Sequence, residues 1–262
     1  MKLITLTTDF GTRDWYVACM KGVILSLEPR QPIVDVTHEI PAGDIRAGAF
    51  VLAAAYQCFP RGSIHVAVVD PGVGSPRAAL AVGTENYWFL GPDNGVLSLA
   101  LTQERIKTIC RIENERGLRG PVSATFHGRD IFAPPAARLS RGLGGQKLGP
   151  AQRDYVRLEW PEPGEEGDKI RGAIIYFDQF GNGISNIGAG RLDRLKSPDL
   201  VISVPGRLQA PLRRYYQAAA PGEPVAVIGS SNFLEIAVNG GSARQLLGLE
   251  AGDPVLVSPK NH

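Results

Sequence analysis

The run Ile64-His65-Val66-Ala67-Val68-Val69 is nearly continuous in β-branched and apolar residues, the pattern of a strand buried on both faces. It stops abruptly at Asp70-Pro71-Gly72-Val73-Gly74. Proline and glycine forbid a regular continuation there and let the backbone turn tightly or approach a ligand. A sheet strand that must be covered on both sides requires helices above and below it, so this stretch points to an α/β layer. In such sheets ligands bind at the carboxyl ends of the strands, where Asp70 stands. On pattern alone Asp70 is either a ligand-facing carboxylate or a residue that caps a turn.

The flanking sequence agrees with an alternating βα order. Leu3 to Thr8 reads as a strand ending at a second acidic residue, Asp9, followed by a helix from Asp14 through Leu27 and a strand over Ile33 to His38. Asp44 is placed to cap a helix that runs to Cys58 and is closed by Pro60. Ala79 to Val82 and Tyr87 to Leu90 read as a hairpin leading to the turn Gly91-Pro92-Asp93-Asn94-Gly95 and a helix near Val96 to Leu101. Another helix opens around Thr125-Phe126-His127-Gly128 and runs to about Arg141. From Gly142 to Asp168 the composition shifts to glycine, proline and charge, and beyond it the strands are short and separated by turns. The expected organisation is an N-terminal α/β domain over residues 1–150, a linker over 151–168, and a smaller, barrel-like antiparallel β domain over 169–262.

Charge and cysteine usage narrow the function classes. With 28 basic and 26 acidic residues among 262, the net charge of +2 gives no electrostatic case for nucleic acid or an anionic membrane. No apolar span is long enough to cross a bilayer, and no leader-like segment opens the chain. Cys19, Cys58 and Cys110 are far apart and lack any metal-ligand spacing, which reads as reduced residues in a cytoplasmic protein without structural zinc.

Among the four histidines, His38 and His65 fall in strand patterns and His262 is terminal. His127 stands beside Gly128 and Arg129 at an expected helix start, where unsatisfied N–H groups favour an anion or a polarised oxygen. Alone it is either a structural imidazole or a catalytic one. Together with Asp70 and Arg77 it makes a set able to orient water and stabilise developing hydroxide. Neither GxGxxG nor GxxxxGK[ST] occurs where a phosphate cradle would need it, so a nucleoside without a phosphate chain suits the fold better than a dinucleotide. Trp15, Tyr16 or Phe233 could stack on a base or simply pack in the core.

Five segments, Thr7-Thr8-Asp9-Phe10-Gly11, Asp70-Pro71-Gly72-Val73-Gly74, Gly91-Pro92-Asp93-Asn94-Gly95, His127-Gly128-Arg129-Asp130 and Phe180-Gly181-Asn182, occur in the order found in the adenosine-forming S-adenosyl-L-methionine (SAM) hydrolases. The chain resembles that family, also called SAM hydroxide adenosyltransferases and related to the fluorinase and chlorinase. The resemblance implies attack of water or hydroxide on the ribose 5′-carbon of SAM, with methionine leaving as a neutral thioether and no cofactor or metal. It implies catalytic roles for Asp70, Arg77 and His127, ribose binding by Asp9, ammonium binding by Asp178 and adenine binding by Asn182. Ser230 and Ser231 match positions at the methionine carboxylate, the second of which is arginine in the fluorinase. Phe233 joins them as a substrate-binding candidate. The resemblance further implies a homotrimer with sites shared between subunits. The halogenases lack the Asp-Pro-Gly-Val-Gly turn, which favours hydroxide over halide here. Halide-dependent cleavage and non-catalytic SAM or adenosine binding are the alternatives.

Overall fold

A computed structural model describes residues 2–113, 121–195, 197 and 199–260, so His262 lies outside the described residues. The chain divides into two compact units, residues 1–158 and 159–262.

Unit 1 is built on a six-stranded mixed sheet, in the order β2-β1-β3-β5-β4-β6. Its strands are β1 (Ile4–Thr8), β2 (Ile33–Thr37), β3 (Ile64–Val68), β4 (Ala79–Thr84), β5 (Trp88–Pro92) and β6 (Ile106–Arg111). β2, β1, β3 and β5 run parallel, while β4 pairs antiparallel with β5 and β6. β1 and β3 are buried throughout, β1 with three buried threonines among its five residues. Because side chains alternate across a sheet, Ile4, Leu6, Ile64, Val66 and Val68 share one face. There they pack with Met20 and Ile24 of α1 (Tyr16–Leu27) and Ala133, Ala136 and Ala137 of α4 (Ala133–Ser140). On the opposite face Thr5 bonds His65 across the strand pair, Oγ1 to Nδ1 at 2.8 Å. α2 (Ile45–Ala55) lies on that side, where Gly48 approaches Val69 so closely that a Cβ would collide with it. The Asp44 cap is in place, its Oδ1 accepting from Ala47 N at 2.9 Å, an arrangement that contributes about 0.5–2 kcal/mol.

Four departures from the sequence patterns stand out. The helix expected from residue 125 begins as a π-helical turn over Gly128–Phe132 before α4 proper, and the short α3 spans only Ser98–Leu101. The sequence patterns above do not include β6, whose backbone completes the sheet edge. Residues 151–168 do not form a free connector. Ala151 bridges to Cys110, Gln152 N donates to Ile109 O at 2.9 Å, and Val156 N donates to Asp93 Oδ1 at 2.7 Å. Gly164–Glu166 forms β7, paired with the first strand of unit 2's closed sheet.

That closed sheet consists of β8 (Lys169–Phe177), β9 (Gly183–Gly188), β10 (Leu200–Val204), β11 (Leu208–Arg213), β12 (Pro224–Ile228), β13 (Phe233–Val238) and β14 (Pro254–Pro259). Pairing runs β14-β10-β11-β12-β13-β9-β8, and β14 returns to β8, so the sheet closes on itself and hides its edges. All pairings are antiparallel except β11 with β12. Short helices α5 (Ala189–Leu192) and α6 (Ala243–Leu246) flank it. Among the described residues no helix is long and apolar enough to cross a membrane.

Candidate active site

The first strand ends place two carboxylates on one cleft. Asp9 follows β1 and Asp70 follows β3, and both line a cavity of about 310 Å³ together with Phe10, Tyr16, Val73, Thr125, Phe126 and His127. Asn94 of the Gly91–Gly95 turn fixes the approach to Asp70, its Nδ2 donating to Val69 O at 2.8 Å. Gly74 has φ +82°, and a Cβ on it would run into the carbonyl oxygen of Ala124. Only glycine lets the Asp70 turn press against the segment that leads to His127. From the other side Asp130 holds that segment, with Oδ2 accepting from Ser123 N at 2.9 Å while both its oxygens accept from Arg129.

Arg77 joins the remaining two groups. Its Nε donates to Asp70 Oδ1 at 2.8 Å, its Nη2 donates to Asp70 Oδ2, and Nη2 also contacts His127 Nδ1 at 2.8 Å. The Arg77 and Asp70 side chains are 11% and 4% exposed, so the pair is formed largely away from water. A guanidinium can only donate, so His127 Nδ1 must carry a lone pair and the neutral imidazole has its proton on Nε2. Burial, and then the positive charge of Arg77, hold His127 below its usual pKa range. Within the trio Arg77 and Nε2–H of His127 are donors, and Asp70 is the one group left to accept a proton. The arrangement can therefore polarise a water and receive its proton in a single place.

Asp9 accepts from Gly43 N through Oδ2 at 2.8 Å. Tyr16 packs edge-on to Phe126 at 5.0 Å between ring centres, whereas Trp15 is 64% exposed beside it. Thr125 and Phe126 were missed as lining residues, although they directly precede the His127 motif.

The remaining candidates lie in unit 2. Asp178, Asn182 and Ser230 line a cavity of about 700 Å³ with Phe180, Tyr216 and Glu235. Asp178 Oδ1 accepts from Phe180 N at 3.0 Å and Asn182 N at 2.8 Å, and Oδ2 accepts from Asn182 Nδ2 at 2.9 Å. Ser231 and Phe233 are not in that lining, and the Ser231 hydroxyl is buried without a hydrogen-bond partner among the described residues. Tyr216 and Glu235 went unassigned in sequence. An acid inside the apolar strand Phe233-Leu234-Glu235-Ile236-Ala237-Val238 was the available signal.

Comparison with known proteins places the whole chain in one family. The family model described as SAM hydroxide adenosyltransferase N-terminal domain matches residues 4–149, and that of the C-terminal domain matches residues 172–256. A Thermus thermophilus protein named (R)-S-adenosyl-L-methionine hydrolase is 39% identical over 97% of this chain and 99% of its own length. A fluorinase from an Actinoplanes species is more distant, 26% identical over 98% of this chain and 97% of its own. The crystal structure of an uncharacterised conserved protein from Thermotoga maritima superposes with a TM-score of 0.93 at 34% identity, covering 98% of this chain and 100% of that one. With both of its units matched, the chain belongs to the SAM hydroxide adenosyltransferase family.

Proposed function

We propose that the protein is an adenosine-forming SAM hydrolase, which cleaves S-adenosyl-L-methionine to adenosine and L-methionine. The observation that carries this reading is the Asp70–Arg77–His127 chain, whose Asp70 and His127 line the unit 1 cleft. A water lone pair forms the bond to the ribose 5′-carbon while the carbon–sulfur electron pair leaves on sulfur. Methionine departs as a neutral thioether, so nothing need protonate or ligate the leaving group, and the reaction requires no metal or cofactor. The water's proton passes to Asp70. Arg77 keeps that carboxylate oriented and His127 in its Nε2–H form, and the half-buried aromatic wall limits competing solvent.

Asp9 holds the ribose hydroxyls in this reading. Asp178 takes the methionine ammonium, Asn182 the adenine, and Ser230 with Ser231 the carboxylate. Of the two serines, Ser230 has the better support because it lines the unit 2 cavity. Residues from both units are thus assigned to one substrate, which fits the homotrimer with shared sites that the family resemblance implies. Sedimentation tests that assembly. A cytoplasmic compartment completes the proposal, supported by the free state of Cys19, Cys58 and Cys110.

Incubation with SAM followed by chromatography tests the function. Equal amounts of adenosine and methionine are expected, at a rate indifferent to chloride and to EDTA. A 5′-halo-adenosine with chloride-dependent rate would assign halide cleavage instead, and tight binding without products would leave a binding protein.

A further inference from the structure

The segment after β2 grips the chain on both sides of Asp9. His38, the first residue beyond that strand, is 4% exposed, and its Nδ1 meets the hydroxyl of fully buried Thr8 at 2.8 Å. The same hydroxyl oxygen accepts from Phe10 N at 3.2 Å, and His38 O accepts from Gly11 N at 2.7 Å. Asp9 lies between these attachments, and its own Oδ2 accepts from Gly43 N further along the His38 segment. Behind the ring, Nε2 lies 3.0 Å from Asp35 Oδ1, close enough for charge contact though not aligned as a hydrogen bond. Lys21 of α1 pairs with Asp35 Oδ2 at 2.5 Å. The carboxylate favours a proton on Nε2, so in the neutral ring Nδ1 accepts from the Thr8 hydroxyl and the Thr8 oxygen keeps a lone pair for Phe10 N.

His65 shows how a histidine that only packs is placed in the same sheet. It also meets a threonine, Thr5, through Nδ1 at 2.8 Å, but its buried Nε2 has no hydrogen-bond partner among the described residues and faces the rings of Tyr56, Phe59, Tyr87 and Phe89. That pair sits within the ladder, where the neighbouring strands already fix the backbone. His38 acts past the strand ends, where Thr8 closes β1 and the next two residues, Asp9 and Phe10, turn into the unit 1 cavity. A buried imidazole is less favourable than an apolar side chain unless its directional bonds are needed.

We infer that His38 is a positioning residue for ribose recognition, holding the Thr8–Gly11 turn so that the Asp9 carboxylate is aimed into the unit 1 cavity, with Asp35 and Lys21 fixing the ring from behind. The inference rests on the proposed assignment of the ribose hydroxyls to Asp9 and adds to it a residue outside the cavity lining. His38 acts through Asp9 and takes no part in bond breaking.

His38→Ala removes the clamp and leaves Asp9 and Gly43 in place in the sequence. Adenosine affinity, read by calorimetry, is expected to fall about five- to tenfold, with KM for SAM rising in parallel and kcat changing less. Binding of 2′,3′-dideoxyadenosine, which has no ribose hydroxyls for Asp9 to accept from, is expected to stay within about twofold of its value in the parent. In an Asp9→Asn background His38→Ala should add less than about a twofold loss for adenosine, because both changes then remove one interaction. Equal losses for adenosine and the dideoxy analogue would overturn the inference, since they mark a general loosening of the fold. So would unchanged adenosine affinity, or an undiminished further loss in the Asp9→Asn background. If His38→Ala does not fold, Thr8→Val removes the hydroxyl at nearly constant shape, and the ratio of adenosine to dideoxyadenosine affinity decides. A ratio equal to the parent's rejects the assignment. Asp9→Asn read alone separates the two readings: adenosine affinity unchanged there would take the ribose away from Asp9, whereas a loss there with none in His38→Ala rejects His38 alone.

Discussion

Asp70 in unit 1 and the two cavity-lining carboxylates of unit 2 are held in opposite ways. In unit 1 Asp70 is matched by two Arg77 nitrogens, and His127 completes the chain. In unit 2 Asp178 and Glu235 share a cavity with hydrogen-bond donors but no basic partner among the described residues. A carboxylate already paired and oriented is suited to handling a water in the transition state, where reorganisation slows reaction. An unpaired one is suited to capturing a cation in the ground state. The two sites thus differ in whether the charge of these carboxylates is compensated within the protein.

The largest effect that could break this contrast is in unit 1. Asp70→Ala removes the only proton acceptor of the trio, and kcat is expected to fall about 10²–10⁴-fold with a much smaller change in KM. Steady-state kinetics showing the loss mainly in KM would move Asp70 from chemistry to binding.

Next comes Arg77→Ala, which strands a buried carboxylate. It is expected to destabilise the fold by about 3–5 kcal/mol, measured by denaturant unfolding, because the pair is broken from one side only. A loss below about 1 kcal/mol would place the ion pair in the surface class and remove the argument for a pre-paired site.

Asp9→Asn tests the other carboxylate of the same cleft. Weakening a charge-assisted acceptor for ribose hydroxyls is expected to cost about 1.5–3 kcal/mol in adenosine affinity, read by calorimetry. Unchanged affinity would take Asp9 out of the nucleoside site.

The smallest effects sharpen the contrast through pH. His127 is depressed by burial and by Arg77, and His65 is depressed by burial to about 4. The unfolded chain binds protons at these positions below about 6.5, before the folded one does, so their contribution is complete above that pH and is lost as pH falls toward about 4. Glu235 has the opposite sign, because its raised pKa means that the folded state takes up its proton first on acidification. Accordingly Glu235→Gln is expected to raise Tm near neutral pH by about 2–4 °C, and by less in mild acid. A lowered Tm at neutral pH would show that the ionised carboxylate is compensated after all.

Much of unit 1 was legible because its signals are local and redundant. Apolar runs ending at Asp9 and Asp70, the Asp44 cap and the Ala79–Leu90 hairpin each carry their own periodicity or turn chemistry. Unit 2 was less so. β9 reads Gly183-Ile184-Ser185-Asn186-Ile187-Gly188, and β11 contains Pro211, compositions that favour turns. Ladder pairing within a closed sheet outweighs those preferences. The segment after residue 150 looked unstructured by composition, yet Asp93, distant in sequence, captures its backbone. Similarly, motifs could nominate Asp70, Arg77 and His127, but only the Arg77 bridge fixes which imidazole nitrogen keeps its proton. Ser231 shows the converse limit, since its neighbour Ser230 faces the cavity while its own hydroxyl is buried.

The central claim is that the unit 1 trio delivers water to the ribose 5′-carbon. Turnover of SAM in heavy-oxygen water, with the products separated and weighed by mass spectrometry, tests it most directly. Adenosine carrying one heavy oxygen at the 5′-position, alongside unlabelled methionine, is the expected result, and Asp70→Ala should lose that product at saturating SAM. Adenosine without the label, or label arriving at the parent rate in Asp70→Ala, would contradict it.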